Sequence, residues 1–319
     1  MDEPRILDAH AHQWDLHGTP REASSFVKLF GWSPSLMHWL ARRLFPANAV
    51  EFFGAADFIL QNYLPDDHRA YAGDFELDGF VHVEAGWQAA GPLGAVAETE
   101  WLATLGPDIR AIVGHADLCR GNDIDAVLEA HIAASDCFRG VRYPLAHHPA
   151  KGVLSACDGP HLMHDTTWRE GYARLGDHDL SFDATVYHHQ LDDLAELAGH
   201  FPNIPIVLCH AGTPVAYGGP FGGIGATPDS RQRIADEWAT SIANLAERPN
   251  VQVKISGLAM PALGWGYHRT KHRPDIERLV ADFRPIVEHV IDCFGVGRCM
   301  FGSNFPIDAV SADMPTIFG

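Results

Sequence analysis

Eight short β-branched or apolar runs, separated by long connections, are what most limits the folds open to this chain. The runs fall at 6–10, 79–84, 111–115, 138–142, 180–186, 204–210, 251–256 and 299–303. Helix-like segments lie between them at 94–105, 124–134, 191–200, 230–247 and 276–294. Strands alternating with helices predict parallel pairing, because a parallel connection needs a crossover long enough to hold a helix. Eight such units in 319 residues predict an α/β fold of the closed (β/α)8 type, a TIM barrel, rather than an open doubly wound sheet. No G-x-G-x-x-G follows the first run, which also counts against a dinucleotide-binding sheet. No linker, internal repeat or low-complexity stretch divides the chain, so residues 1–319 read as one barrel domain.

Two connections stand out. The first, residues 13–78, carries Trp14, Phe26, Phe30, Trp32, Trp39, Phe45, Phe52 and Phe53. An aromatic-rich insertion after strand one of a barrel sits over the face where barrel active sites lie, as a lid or substrate wall, or else packs as helices on the rim. The second, 217–227, is Gly-rich and reads as a mobile loop at the same face. Only 309–319 follow the last run, which is short for a closing helix. A barrel without that helix leaves an apolar stripe uncovered.

The net charge of −18 argues against nucleic acid and anionic membrane surfaces as partners, because phosphates need a basic patch. No run of about 18 uncharged apolar residues occurs, so no membrane span is expected. Met1-Asp2-Glu3-Pro4 lacks the apolar core of a signal segment. Six cysteines without a C-x-x-C pair read as reduced thiols of a cytoplasmic protein. The partner expected is a small molecule, and a homo-oligomer is left open.

With 20 histidines in the chain, only placement makes one informative. His10 and His12 close the first run, and residues i and i+2 of a strand share a face. They can aim two imidazoles at one point, which is half of a metal site. The other run ends supply His82 and Glu84, His115 and Asp117, Arg139 and Arg142, Asp183, Tyr187 and His188, His210, Lys254 and Ser256, and Asn304. Polar groups at nearly every end of apolar strands would be costly in a core, so a shared polar site accounts for them together. Arg139, Arg142 and Lys254 predict an anionic substrate, since a guanidinium binds carboxylates bidentately. The competing reading pairs the arginines with Asp or Glu of neighbouring strands. Arg139 and Arg142, three apart, face opposite sides of a regular strand, so only one is expected to reach a pocket. His188 and Glu84 complete the expected substrate-binding set, Glu84 with the alternative of a further metal ligand or an Arg partner.

The motifs His10-Ala11-His12, Cys209-His210-Ala211-Gly212-Thr213-Pro214 and Phe301-Gly302-Ser303-Asn304-Phe305-Pro306 resemble the amidohydrolase-related branch of the amidohydrolase superfamily. Val81-His82-Val83-Glu84-Ala85-Gly86-Trp87, Phe138-Arg139-Gly140-Val141-Arg142 and Val253-Lys254-Ile255-Ser256-Gly257-Leu258 are similar to the same group. It is the group described as predicted metal-dependent TIM-barrel hydrolases, which includes sugar lactonases and a pyrone-dicarboxylate lactonase. The resemblance runs from about residue 5 to residue 310. It implies that His10 and His12 match strand-one metal ligands and that His210 binds metal or polarises a substrate carbonyl. It implies an Asp at the strand-eight position, as base or ligand, where this chain has Asn304.

A neutral amide cannot take a proton from water and ligates divalent metals poorly. The Asn can be native with the base elsewhere, can be introduced to trap a substrate, or can mark a chain that binds without hydrolysing. Asp308 is one candidate base, with helix capping as its alternative; Asp183 is another, with an Arg partner as its alternative. Three histidines suit zinc, which would lower the pKa of a bound water toward about 7. The pyrone-dicarboxylate branch works without metal, so the same histidines can instead hydrogen-bond the substrate. The expected function is therefore hydrolysis of a small lactone or cyclic amide by water, with His210, Asn304 and Asp308 as catalytic groups and His10, His12 and His210 around a divalent metal. The alternatives are a metal-dependent non-oxidative decarboxylase of an aromatic or muconate-type acid, and a catalytically silent binding protein.

Overall fold

The computed structural model describes residues 5–54, 59–157 and 159–319. The acidic start at 1–4 and residues 55–58 of the first connection lie outside them. The strands are β1 (Ile6–Ala11), β2 (Leu77–Val83), β3 (Ile109–His115), β4 (Phe138–Pro144), β5 (Ser181–Thr185), β6 (Ile206–Leu208), β7 (Val251–Ile255) and β8 (Cys299–Phe301). They pair in parallel and in chain order, β1 through β8, as one eight-stranded sheet. The last strand returns to the first: Ala11 bridges Phe305, His12 N donates to Phe305 O at 2.9 Å, and Asn304 N donates to His10 O at 2.8 Å. This is the (β/α)8 barrel read from the alternation of runs.

Among the described residues, the helices α1 (Ser24–Phe30), α2 (Pro34–Leu44), α3 (Ala47–Phe53) and α4 (Pro65–Ala72) stand between β1 and β2. The barrel helices are α5 (Val96–Ala103), α6 (Asp125–Ala134), α7 (Thr166–Asp177), α8 (Leu191–His200), α9 (Pro228–Ala246) and α10 (Ile276–Phe294), with α11 (Met314–Phe318) after β8. Helix α7 shows how local chemistry sets an element. The Asp165 carboxylate caps it by accepting from Trp168 N at 2.8 Å. Trp168, Tyr172 and Leu175 then recur at helical spacing and bury one face. The Trp168 and Tyr172 rings stack at 5.2 Å, and both meet Phe182 of β5 edge-on.

The seam between β8 and β1 is polar and buried. Asp8 Oδ1 accepts from His10 N at 3.0 Å and from Ser303 N at 2.8 Å, and its Oδ2 accepts from the Ser303 hydroxyl. His68 Nε2 of α4 stands 3.2 Å from Asp8 Oδ2, and the Tyr63 hydroxyl lies 2.9 Å from His68 Nδ1. Gly302 allows the approach, because a Cβ there would stand 2.8 Å from His10 Cβ.

The outer face of the same seam is bare. Leu7 is 51% exposed and Phe301 42% exposed. An apolar groove of about 500 Å³ runs beside them, with Phe283, Val287 and Ile291 of α10 and Ile317 of α11 in its walls. No helix among the described residues is long and apolar enough to cross a membrane, and none of their six cysteines forms a disulfide.

Removing the seam carboxylate tests how much it holds. Asp8→Ala strands two backbone N–H groups and a hydroxyl, and should cost about 3 kcal/mol in urea unfolding. A loss well under about 1 kcal/mol would mean that backbone pairing alone closes the barrel.

Candidate active site

Strand β1 places Asp8, His10 and His12 on its inner face, so the two imidazoles rise in line from the seam. The His10 ring centroid lies 5.0 Å from that of His12 and 4.5 Å from that of His210. His12 Nδ1 stands 2.8 Å from the Val83 carbonyl. A carbonyl only accepts, so Nδ1 carries the proton and Nε2 keeps its lone pair. His210 Nδ1 lies 3.0 Å from Ser256 Oγ, which leaves its Nε2 for the cavity. Both ring nitrogens of His10 are buried with no hydrogen-bond partner among the described residues.

All three imidazoles are held neutral. Burial first, then His210 and Lys254, keeps His10 well below the usual histidine range. Burial, then Arg142 and His82, pushes His12 down to about 3. Burial, then Arg142 and His12, lowers His210 well below its ordinary value.

The turn that carries His210 is strained. His210 (φ 54°), Ala211 (φ 50°), Thr213 (φ 39°) and Ala216 (φ 61°) are all left-handed non-glycine residues. Each such residue costs of order 1 kcal/mol or more and persists only where its surroundings enforce it. Trp238 Nε1 donates to Ala211 O, and Ala216 N to Ala262 O, each at 2.8 Å. This is why the run read as a strand over 204–210 stops at Leu208. Gly257 makes room for the ring, since a Cβ there would stand 2.5 Å from His210 Nδ1.

Above the histidines opens a cavity of about 620 Å³. Its floor includes His12, Glu84, Arg142, Thr185, His210 and Asn304. Arg142 is fastened to Glu84, with Nη2 2.7 Å and Nε 2.8 Å from Glu84 Oε1. Burial raises the Glu84 carboxyl, but Arg142 and the groups around it outweigh burial and hold it below its ordinary value. Arg142 Nη1 makes no hydrogen bond among the described residues. Asn304 (φ 58°) gives Nδ2 to Asp308 Oδ1 at 2.8 Å, which leaves its Oδ1 free of that bond.

Other residues expected at the site lie elsewhere. Arg139 turns outward and donates to Asp136 O and Phe138 O at 2.6 and 2.8 Å, because it occupies the opposite face of β4 from Arg142. Lys254 is buried below the cavity with Nζ 2.6 Å from Asp183 Oδ2, so the partner of Asp183 is neither arginine. His188 is buried in the turn after β5 and pushed down to about 3 by burial; Tyr187 lines the cavity in its place. Asp308 stands behind Asn304, takes a second bond from Ala259 N at 3.1 Å, and burial raises it to about 7. Of the three cations expected to bind an anion, only Arg142 reaches the cavity, and Glu84 already holds it.

The donor set fits a divalent cation. His10 offers orphaned buried nitrogens, and His12 and His210 present Nε2. Among the described residues near the site, the donor atoms that lie within 4.8 Å of one another are those of His10, Asp183 and Cys209 rather than of the three histidines. Sequence reasoning passed over Cys209, which nothing in its local pattern marks. Burial, then Asp183, raises its thiol to about 12, and Lys254 occupies Asp183, so the neutral imidazoles are the better donors.

With this geometry in view, comparison with known proteins is decisive for the family. The family model described as Amidohydrolase matches residues 7–318. The chain belongs to the amidohydrolase family. A Sinorhizobium fredii protein described as uncharacterized protein y4mH is 30% identical over 321 residues, covering 100% of this chain and 90% of that protein. An L-fucono-1,5-lactonase of Burkholderia ambifaria is 30% identical over 203 residues, covering 64% of this chain and 57% of that enzyme. An amidohydrolase of Burkholderia multivorans, solved with bound HEPES and with bound zinc, shares the fold with TM-scores of 0.67 and 0.66. It is 23% and 22% identical in the two structures, which cover 99% of this chain and 89% of that one. As an amidohydrolase with lactonase-named relatives, the chain is an enzyme of hydrolase type.

Two measurements check the site. Unfolded imidazoles protonate near 6.5, whereas folded His12 does so only near 3. Acidification below about 6.5 therefore favours the unfolded state, by up to about 1.4 kcal/mol per pH unit for each such histidine. Denaturant midpoints should fall steeply from about pH 7 to about pH 5, and a flat profile would contradict neutral buried imidazoles. Separately, Gly257→Ala should displace His210 and lower kcat by about tenfold or more, with the far-ultraviolet circular dichroism of the barrel retained.

Proposed function

We propose that the chain hydrolyses a small cyclic ester, a lactone, at the floor of this cavity. The observation that carries the reading is the cluster of three neutral imidazoles beside Arg142, with Asn304 across from them. Arg142 Nη1 is placed to donate to a carbonyl oxygen as the tetrahedral oxyanion forms. Asn304 Oδ1 is placed to hold the attacking water by accepting one of its protons in a hydrogen bond. His12 is a poor base, because a group with a value near 3 holds a proton weakly. Its lone pair suits a metal better than a proton.

His10, His12 and His210 would hold a divalent metal, for which zinc is the natural choice with imidazole donors. That metal would supply Lewis acidity and bring a bound water toward a neutral pKa. The name of the lactonase relatives agrees with this reaction class.

The test is a purified-protein assay with δ-lactones, alongside decarboxylation of aromatic acids and elemental analysis for metal. Lactone turnover with bound metal supports the proposal. His12→Ala should lose at least about 100-fold in kcat, and Asn304→Ala about 10- to 100-fold. A protein inert in both assays that still binds an acid ligand would sink the hydrolase reading.

A further inference from the structure

The floor and the roof of the cavity differ in chemistry, and the difference bears on what fills it. The roof comes from the long first connection: Phe45 after α2, and Val50, Phe52 and Phe53 on α3. Leu154 and Met260 stand in the walls. The polar atoms that the aromatic walls could offer are already spent. The Tyr187 hydroxyl donates to Leu154 O at 2.5 Å, and Trp14 Nε1 donates to Gln61 O at 2.6 Å, so both present ring faces. The charged groups of the roof, Arg42 and Glu22, are exposed, lie at the mouth and carry opposite signs.

From these observations we infer that the substrate is a neutral lactone carrying an apolar alkyl or aryl substituent, with the ring on the polar floor and the substituent under the aromatic roof. This rests on the hydrolase reading above and names its substrate class. Three arguments lead here. First, pockets of about 300–1,000 Å³ enclose drug-sized ligands, so a bare lactone ring leaves most of 620 Å³ empty. Second, a polyhydroxylated ring reaching the roof would bury hydroxyls with no partner, which is unfavourable for each one. Third, a carboxylate held below the mouth of the cavity would meet only cations that already have a carboxylate of their own, although Arg142 Nη1 and Arg21 Nη2 each keep a donor. Lys254 is paired with Asp183, Arg142 with Glu84, and Arg21 with Glu98. An unpaired buried anion is strongly disfavoured.

The test separates binding from turnover. The wild-type protein is titrated by calorimetry with δ-lactams that carry methyl, propyl, pentyl or phenyl groups, which mimic the ring but resist hydrolysis. The same substituents on δ-lactones are assayed for turnover. A hydroxylated lactam and a dicarboxylate analogue serve as polar probes. Affinity should rise by about fourfold per added methylene until the roof is reached. Both polar probes should bind at least tenfold more weakly than the pentyl lactam. Phe52→Ala should flatten the series while leaving the methyl lactam within about twofold. A flat or falling series in the wild type, or tightest binding of the dicarboxylate, overturns the inference whatever the variant does. If the alkyl lactams bind in the expected order and no lactone turns over, the substrate-class inference stands for the ligand and the hydrolase reading fails. If lactones turn over without the gradient, the reverse holds.

Discussion

A single buried carboxylate holds the two ends of the barrel together. Asp8 takes the backbone N–H groups of His10 and Ser303, and the hydroxyl of Ser303, on its two oxygens. Those donors belong to the first and last strands, nearly the whole chain apart. Once that bond set forms, β8 is too close to β1 for any residue but glycine at 302, and Asn304 N reaches His10 O. The position of Asn304 over the histidine cluster follows from the seam. The same carboxylate receives His68 of α4, so the first connection is tied to the strand that carries His10.

The electrostatics of the interior follow from pairing rather than from the acidity of the chain. Lys254 with Asp183 and Arg142 with Glu84 cancel locally, and each pair lies beneath or beside the imidazoles. The cations still act at short range: together with burial they keep the histidines from protonating. A neutral imidazole is the form that offers a lone pair, and both pairs help to keep the cluster in that form. The net charge of −18 belongs to the chain as a whole and says nothing about the pocket.

The barrel was legible in the sequence because period and spacing survive in one dimension: apolar runs, helical stretches and their order. The strand-one pair was legible for the same reason, since i and i+2 must share a face. Arg139 against Arg142 was half legible: their spacing forbids a common face, but which one faces inward depends on strand register. What lay beyond reach were pairings between distant residues. The Glu84–Arg142 pair was legible only as an alternative, and no local signal joins Lys254 to Asp183. The turn after β6 was misread as strand because its left-handed residues, His210, Ala211 and Thr213, are held by Trp238 and Ala262 from far along the chain.

Asn304 replaces the aspartate that the family pattern leads one to expect, and the structure gives a physical reason. The backbone there is left-handed (φ 58°), a conformation that Asn, Asp and Gly tolerate best. An Asp at 304 would set a second buried carboxylate within hydrogen-bond distance of Asp308, and one of the two would have to keep a proton. The amide avoids that conflict, since its Nδ2 donates to Asp308 Oδ1 at 2.8 Å. The acid four residues on thus accounts for the amide, and the amide shifts the demand for a nucleophile onto the histidine cluster. Loss of charge at strand eight and neutrality at strands one and six are therefore two sides of one arrangement.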